Sequence, residues 1–509
     1  MTLARVKGIS LVGLKGEIVD IEVDISDGLP SYSLLGLPDA ALLESRDRVR
    51  SAILNSAAPW PSRRVTVSLS PAWLHKSGSG FDLPIAVALL LAQGVLDQQE
   101  LNDHIFLGEL ALDGSVKPIR GVLPSLLAAI DNGMRYAVIP LGNISEVQGI
   151  EGIKTVAISH LNQAVTYIIE GEIPDVTVEN SSSEESVALD LSDVAGQHKA
   201  RFALEMAAIG GHHLLLIGPP GTGKTMLAER IPTVMPPLSQ RAAIEVAAIH
   251  SIHSIAGSFE SRNLESRIPP FVSPHHTTTP AAMVGGGSHL IKPGACSLAH
   301  GGVLFIDEAP ECKAGVLDSL RQPLESGSVS ISRSTGTVTF PADFLLVLAA
   351  NPCPCGRFSG KGRACTCSSL QIRRYLQRLS GPLLDRIDIR SFVEVPSRAE
   401  MSSSELSESS SLVRERVVSA RSVAAERFKN EPWSLNSRIP ARELRQRFRA
   451  NKEGMAFLHS ELDHERLSAR GYHKVMRLAW TIADRMGVSV PGISEVASAY
   501  QLRQGIEVV

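Results

Sequence analysis

The chain has 509 residues, a formal net charge of −3, 44% hydrophobic residues and 20% charged residues. That length suggests two to four domains with ample buried core, and the near-neutral balance removes any global electrostatic argument for a polyanionic partner. The opening MTLARVKGISLVGLKGEIVD interrupts its apolar residues with Lys7, Lys15 and Glu17, so it is not a signal peptide, and the longest apolar run, Pro84 to Leu96, is short of the ~20 residues that cross a bilayer. The expectation is a cytoplasmic protein with no membrane segment, in a reducing compartment where clustered cysteines favour a metal over a disulfide.

The front of the chain mixes strands and helices. VTVSLSP (Val65 to Pro71) and YAVIP (Tyr136 to Pro140) read as strands; Leu83 to Gln93 and Leu123 to Gly133 read as buried helices, the second stopped by its glycine. Two serine-rich tracts read as linkers, Thr177 to Asp193 and Ser397 to Ser411. The expected organisation is a front domain over 1–175, a linker over 176–192, a parallel α/β core over 193–396, a second linker over 397–411 and a helical tail over 412–509.

The core opens with HHLLLIGPPGTGKTMLAERIP, a buried strand, a glycine-rich turn and a helix. In this context Gly218, Pro219, Pro220, Gly221, Thr222, Gly223, Lys224 and Thr225 form a P-loop: backbone N–H groups face phosphate oxygens, Lys224 reaches the β/γ-phosphates of ATP, and the Thr225 hydroxyl ligates Mg²⁺. Downstream, GGVLFIDE ends a strand in Asp307, a second Mg²⁺ ligand, and Glu308, which can polarise the attacking water. The strand FLLVLAA leads to Asn351, where a γ-phosphate sensor belongs. GPLLDRIDI carries Arg386, which either reaches a neighbouring subunit's ATP or pairs locally with Asp385 or Asp388. In the tail, Arg470 is the candidate second phosphate sensor, acting in cis, ahead of Arg477.

Directly after Asn351 come Cys353, Cys355, Cys365 and Cys367, spaced C-x-C-x₉-C-x-C. Two close thiolate pairs suit tetrahedral Zn²⁺, although one-residue spacing within a pair is tighter than usual. A redox role and unligated thiols are the alternatives; Cys296 and Cys312 read as core. The loop between the pairs is basic, so Arg357, Lys361 and Arg363 are candidate DNA contacts. GSVSISRSTGTVTFPADF reads as a β-hairpin with Arg333 near its tip, a further candidate DNA contact or simply a solvated charge. From Leu412 to Arg485 there are 16 Lys/Arg against 9 Asp/Glu, a basic stretch that a solvated helical face explains as well as DNA does.

Taken in order, GPPGTGKT, FVSPHHTTTPAAMVGGG, GGVLFIDE, NPCPCG, GPLLDRIDI and LSARGYHKVMRLAWTIAD resemble the YifB/ComM family of magnesium-chelatase-like AAA+ ATPases over nearly the whole chain. The resemblance implies a homo-oligomeric ring, hexameric, with ATP at subunit interfaces, and DNA branch migration that helps integrate single strands in natural transformation. It also implies that the glycines 285 to 287 belong to a pore-lining insert and that the hairpin bearing Arg333 points into the ring.

In the front domain, HKSGSGFDLPIAVALLLAQG and LGELALDGSVKPIRGVLPSLLAA resemble the Lon-type protease fold of the ribosomal S5 domain 2-like class. The Ser and Lys of the Lon dyad fall at Gly80 and Leu123, which can neither attack nor take a proton, so a catalytically dead module is expected; a dyad shifted to Ser77 or Ser79 with Lys117 is the alternative. Rival functions are a porphyrin metal-chelatase motor, weakened by the extra front domain and the missing D-x-S-x-S motif, and a protein-remodelling AAA+ ATPase.

Overall fold

The computed structural model describes residues 2–74, 76, 78–96, 101–171, 189–253, 267–287, 291–333, 336–358, 365–397, 400 and 407–505. Ser77, Lys361 and Arg363 lie outside the described residues, as does most of the two serine-rich tracts.

A long hairpin, Thr2–Val12 paired antiparallel with Lys15–Ser26, organises the front. From Val19 on, its second strand alternates buried and half-buried residues, the period of two that a strand imposes. Five further strands complete a seven-stranded mixed sheet in the order Ser31–Leu35, Arg64–Ser70, Lys15–Ser26, Thr2–Val12, His104–Phe106, Tyr136–Pro140, Lys154–Ile158. The helix Asp82–Ala92 packs on the hairpin and is buried at every residue, which is why its sequence carries aliphatic side chains all round rather than one stripe. The helix Val122–Asp131 ends two residues before Gly133, whose φ of +74° is the left-handed turn that the sequence assigned to a glycine.

The core sheet is parallel throughout, ordered Phe271–Val272, Val303–Ile306, Leu345–Ala350, Leu214–Ile217, Ile389–Phe392. Both faces are covered, so its strands read as near-continuous apolar runs. Phe271 and Val272, the first two residues of FVSPHHTTTPAAMVGGG, are the edge strand of this sheet. The insert begins after them: the helix Pro280–Val284 leads into a ribbon in which Gly285 and Gly286 pair with Pro293 and Lys292. That ribbon stacks on the hairpin Ser328–Arg333/Gly336–Pro341, so closely that a Cβ on Gly285 would lie 2.8 Å from Ile331 Cδ1.

The tail is helical: Ser410–Arg427, Ala441–Gln446, Lys452–Asp463, Ala469–Met486 and Ile493–Gln504. Its apolar residues join one continuous cluster with the helix His198–Gly210 and one face of the core sheet. The last residues of the first expected linker belong to that cluster as well. Leu191 is fully buried, and Arg201 donates to its carbonyl at 2.9 Å.

The front domain packs against the core through the helix Gln240–His253, whose Ala247 and Ala248 lie in the cluster formed with Leu123 and Leu126. The turn of the first hairpin also reaches the core: a Cβ on Gly13 would meet Val338 Cγ1 at 2.4 Å. No described helix is long and apolar enough to cross a membrane.

Candidate active site

Parallel register brings the chemistry to one edge of the core sheet. Ile217 pairs with Ala350, so Gly218 and Asn351 leave the sheet side by side. Val272 pairs with Leu304, so the residues four further on, His276 and Glu308, arrive together. Gly218 is held by two neighbours. Its N–H donates to Ala350 O at 3.1 Å, and a Cβ there would strike Val393 O at 2.3 Å, which admits only glycine. Gly221 and Gly223 take φ of +77° and +87°, and their Cα positions face open space.

Lys224 crosses the loop, donating to Gly218 O (2.7 Å), Pro219 O (2.9 Å) and Asn351 Oδ1 (3.3 Å). Burial lowers its pKa, and the nearby Asp307 and Glu308 oppose that shift. The Thr225 hydroxyl donates to Asp307 Oδ2 at 2.9 Å. Two adjacent ligands of an octahedral Mg²⁺ at 2.0–2.1 Å stand about 3 Å apart, so these two oxygens fit the ion. Asp307 Oδ1 accepts from Glu308 N–H at 2.8 Å, and Glu308 itself takes the left-handed φ of +48° that non-glycine residues rarely adopt. The Glu308 carboxylate lies 3.6 Å from His276 Nδ1. Sequence reasoning did not single out His276. The signal was the pair HH placed just beyond an apolar dipeptide that turns out to be the neighbouring strand.

Arg386 and Arg470 are elsewhere. They sit together at the opposite edge of the sheet, where the strands begin, lining a cavity of 810 Å³ with Lys474, Arg477, Arg438 and Trp433. Arg470 donates to Asp385 Oδ2 at 2.6 Å, and Arg386 pairs with Glu325, not with Asp385 or Asp388. A sheet length separates them from Lys224, so Arg470 cannot sense phosphates on its own P-loop. The cis assignment made from the sequence is corrected: the tail docks behind the sheet rather than over the nucleotide, an arrangement that helical spacing does not encode.

The four cysteines converge. Sγ atoms of Cys353, Cys355 and Cys365 are 3.4–3.7 Å apart, and all four, with Cys367, lie within 4.8 Å of one another. A tetrahedron with Zn–S bonds near 2.3 Å has edges of about 3.8 Å, so the set fits zinc. Cys296 and Cys312 are buried, and burial pushes their thiols up to about 12 and about 11. Arg357 and Arg333 are exposed, and Arg333 reaches alongside Gly286 of the insert ribbon. In the front domain Gly80 faces Ile119, Leu123 is fully buried, and Ser79 gives its hydroxyl to Glu109.

Three models of the ChlI subunit of magnesium chelatase match consecutive parts of the chain: "Subunit ChlI of Mg-chelatase" at 21–143, "Magnesium chelatase, subunit ChlI" at 190–401 and its C-terminal model at 407–503. YifB of Escherichia coli is 42% identical over 95% of this chain and 94% of its own, and the competence protein ComM of Haemophilus influenzae is 40% identical over 96% and 94%. Lon protease 2 of Bacillus subtilis is 28% identical over 30% of this chain and 28% of its own. With its P-loop, acidic strand end and parallel five-stranded sheet, the chain belongs to the YifB/ComM family of magnesium-chelatase-like AAA+ proteins.

Proposed function

We propose that the protein is an ATP-hydrolysing ring motor that acts on DNA in the cytoplasm, driving branch migration or strand unwinding during recombination or natural transformation. The observation that carries this reading is the contact between His276 and Glu308. His276 lies on the short segment joining the edge strand to the insert helix Pro280–Val284. A load on the insert therefore pulls on the residue that touches the hydrolytic carboxylate. The similarity to a competence protein supports DNA as that load.

Glu308 takes the proton of the attacking water as its oxygen adds to the γ-phosphorus, and ADP departs. Lys224 exchanges its carbonyl partners for phosphate oxygens, and Asn351 orients Lys224 and the γ-phosphate. Thr225 and Asp307 would hold Mg²⁺, which would supply charge neutralisation for the phosphates. Arg386 and Arg470 serve the site of the adjacent subunit in a homo-oligomeric, hexameric ring, leaving Glu325 and Asp385 when that phosphate arrives. Cys353, Cys355, Cys365 and Cys367 would hold Zn²⁺. Arg333 and Arg357, with Lys361 and Arg363 from outside the described residues, contact DNA phosphates. The front domain is not a protease.

The test is ATPase of the purified protein with no DNA, single strands, duplex and a four-way junction, with Glu308→Gln as the blank. Stimulation by single strands or junctions is expected. Turnover indifferent to every DNA but raised by unfolded protein would replace this reading with protein remodelling.

A further inference from the structure

The four-cysteine loop touches the nucleotide site at both of its ends. At its start, the strand Leu345–Ala350 delivers Asn351 to Lys224, and Cys353 follows two residues later, fully buried. Gly356 then closes the first cysteine pair, donating its N–H to Cys353 O at 3.0 Å with φ of +71°. Its Cα lies against the P-loop: a Cβ there would stand 2.6 Å from Cδ and 2.7 Å from Cγ of Pro220. At its far end, Cys367 precedes Ser368, which caps the helix Ser369–Leu376 in a reciprocal box with Gln371. That helix returns Tyr375, 3% exposed, to the neighbourhood of Asn351.

The intervening segment is rich in glycine and charge and, with Phe358 as its one large apolar side chain, cannot form a core of its own. Its polypeptide cannot by itself press Gly356 onto a proline ring; four bonds to one ion can. We propose that the cysteine loop is a zinc knuckle that buttresses the P-loop, so that metal occupancy sets nucleotide affinity by holding Gly356 on Pro220 and Asn351 on Lys224. This rests on the zinc reading above and adds to it a role for the metal in ATP binding.

The test uses the full chain and two readouts: zinc per chain by elemental analysis, and the dissociation constant of a methylanthraniloyl ATP analogue. Circular dichroism melting confirms that each variant is folded. Cys365→Ser/Cys367→Ser should lose the zinc and weaken the analogue tenfold or more. Gly356→Val should keep the zinc and weaken the analogue to a similar degree, because the added side chain meets Pro220. Loss of zinc with unchanged nucleotide affinity overturns the buttress and leaves the zinc site standing. Wild-type protein without zinc overturns both. Unchanged affinity in Gly356→Val overturns the contact with the P-loop. None of these readouts depends on DNA, so they stand apart from the motor reading.

Discussion

The two edges of the core sheet are built on opposite principles. Where the strands end, polar side chains are sparsely paired: Gly221 and Gly223 face open space, Thr225 and Asp307 hold each other by a single bond, and the Glu308 carboxylate has His276 at 3.6 Å as its one ion-pair neighbour among the described residues. Where the strands begin, charge is buried and saturated. Asp388 takes Lys474 at 2.5 Å, the His213 N–H at 3.3 Å and His212 at 3.4 Å, and His212 Nε2 contacts Thr481 Oγ1 at 2.7 Å. Burial alone would raise the Asp388 carboxyl, yet Lys474 and His212 outweigh it and hold it well below the usual carboxylate range. Buried Glu205 accepts Arg416 and Arg485 at 2.9 Å each. The first edge is arranged to exchange partners; at the second, apart from the more exposed pairs of Arg386 and Arg470, the buried charges are arranged to keep them. The candidate catalytic groups thus stand on a sheet that the tail clamps from behind.

Substitutions can separate the two edges. Arg386→Ala should lower ATPase by about 10³-fold or more if it acts on a neighbour, and mixed rings should regain activity when Arg386 comes from a subunit whose own site is disabled by Lys224→Ala. Turnover in Glu308→Gln should fall about 10²–10⁴-fold with nucleotide binding retained; normal turnover would remove Glu308 from the base role. Lys474→Met strands Asp388 and should cost about 3–5 kcal/mol in denaturant unfolding, whereas Asp307→Asn, at the open edge, should cost far less.

A further substitution probes a site belonging to neither edge. Glu146, buried where the front domain meets the core, accepts from Asn143 at 2.8 Å, and burial pushes its carboxyl up to about 7 from 4.5. The folded state keeps a proton between those values that the unfolded chain releases, so this contribution is full below pH 4.5 and lost as pH rises through 7. Glu146→Gln should therefore flatten the pH dependence of stability between pH 5 and 8 and stabilise the protein by about 3 kcal/mol at pH 8. An unchanged profile would show that Glu146 is ionised throughout.

What the sequence revealed follows from distance along the chain. The P-loop, the Asp307–Glu308 strand end, the hairpin around Gly336 and the helix at Leu83 are written in contiguous residues whose period and turn chemistry are local. The paired cysteines were legible for the same reason, although contact between Gly356 and Pro220 was not, because it joins positions 136 residues apart. His276 was missed because its partner is known only once strand register is known. Arg470 was assigned to the wrong side because a helix pattern tells which face is buried but not against which end of a sheet it docks.

The seating of Gly13 on Val338 carries a consequence for handling the molecule. Ala247, Ala248, Ile252 and Val338 on the core are covered by Leu11, Leu14 and their neighbours from the front hairpin and the helix Val122–Asp131. A fragment starting at residue 189 would turn that seam to water as a sticky apolar strip. Colloidal stability, rather than folding of the sheet, would then decide whether such a fragment stays in solution, and two or three polar replacements along the strip are the way to recover it.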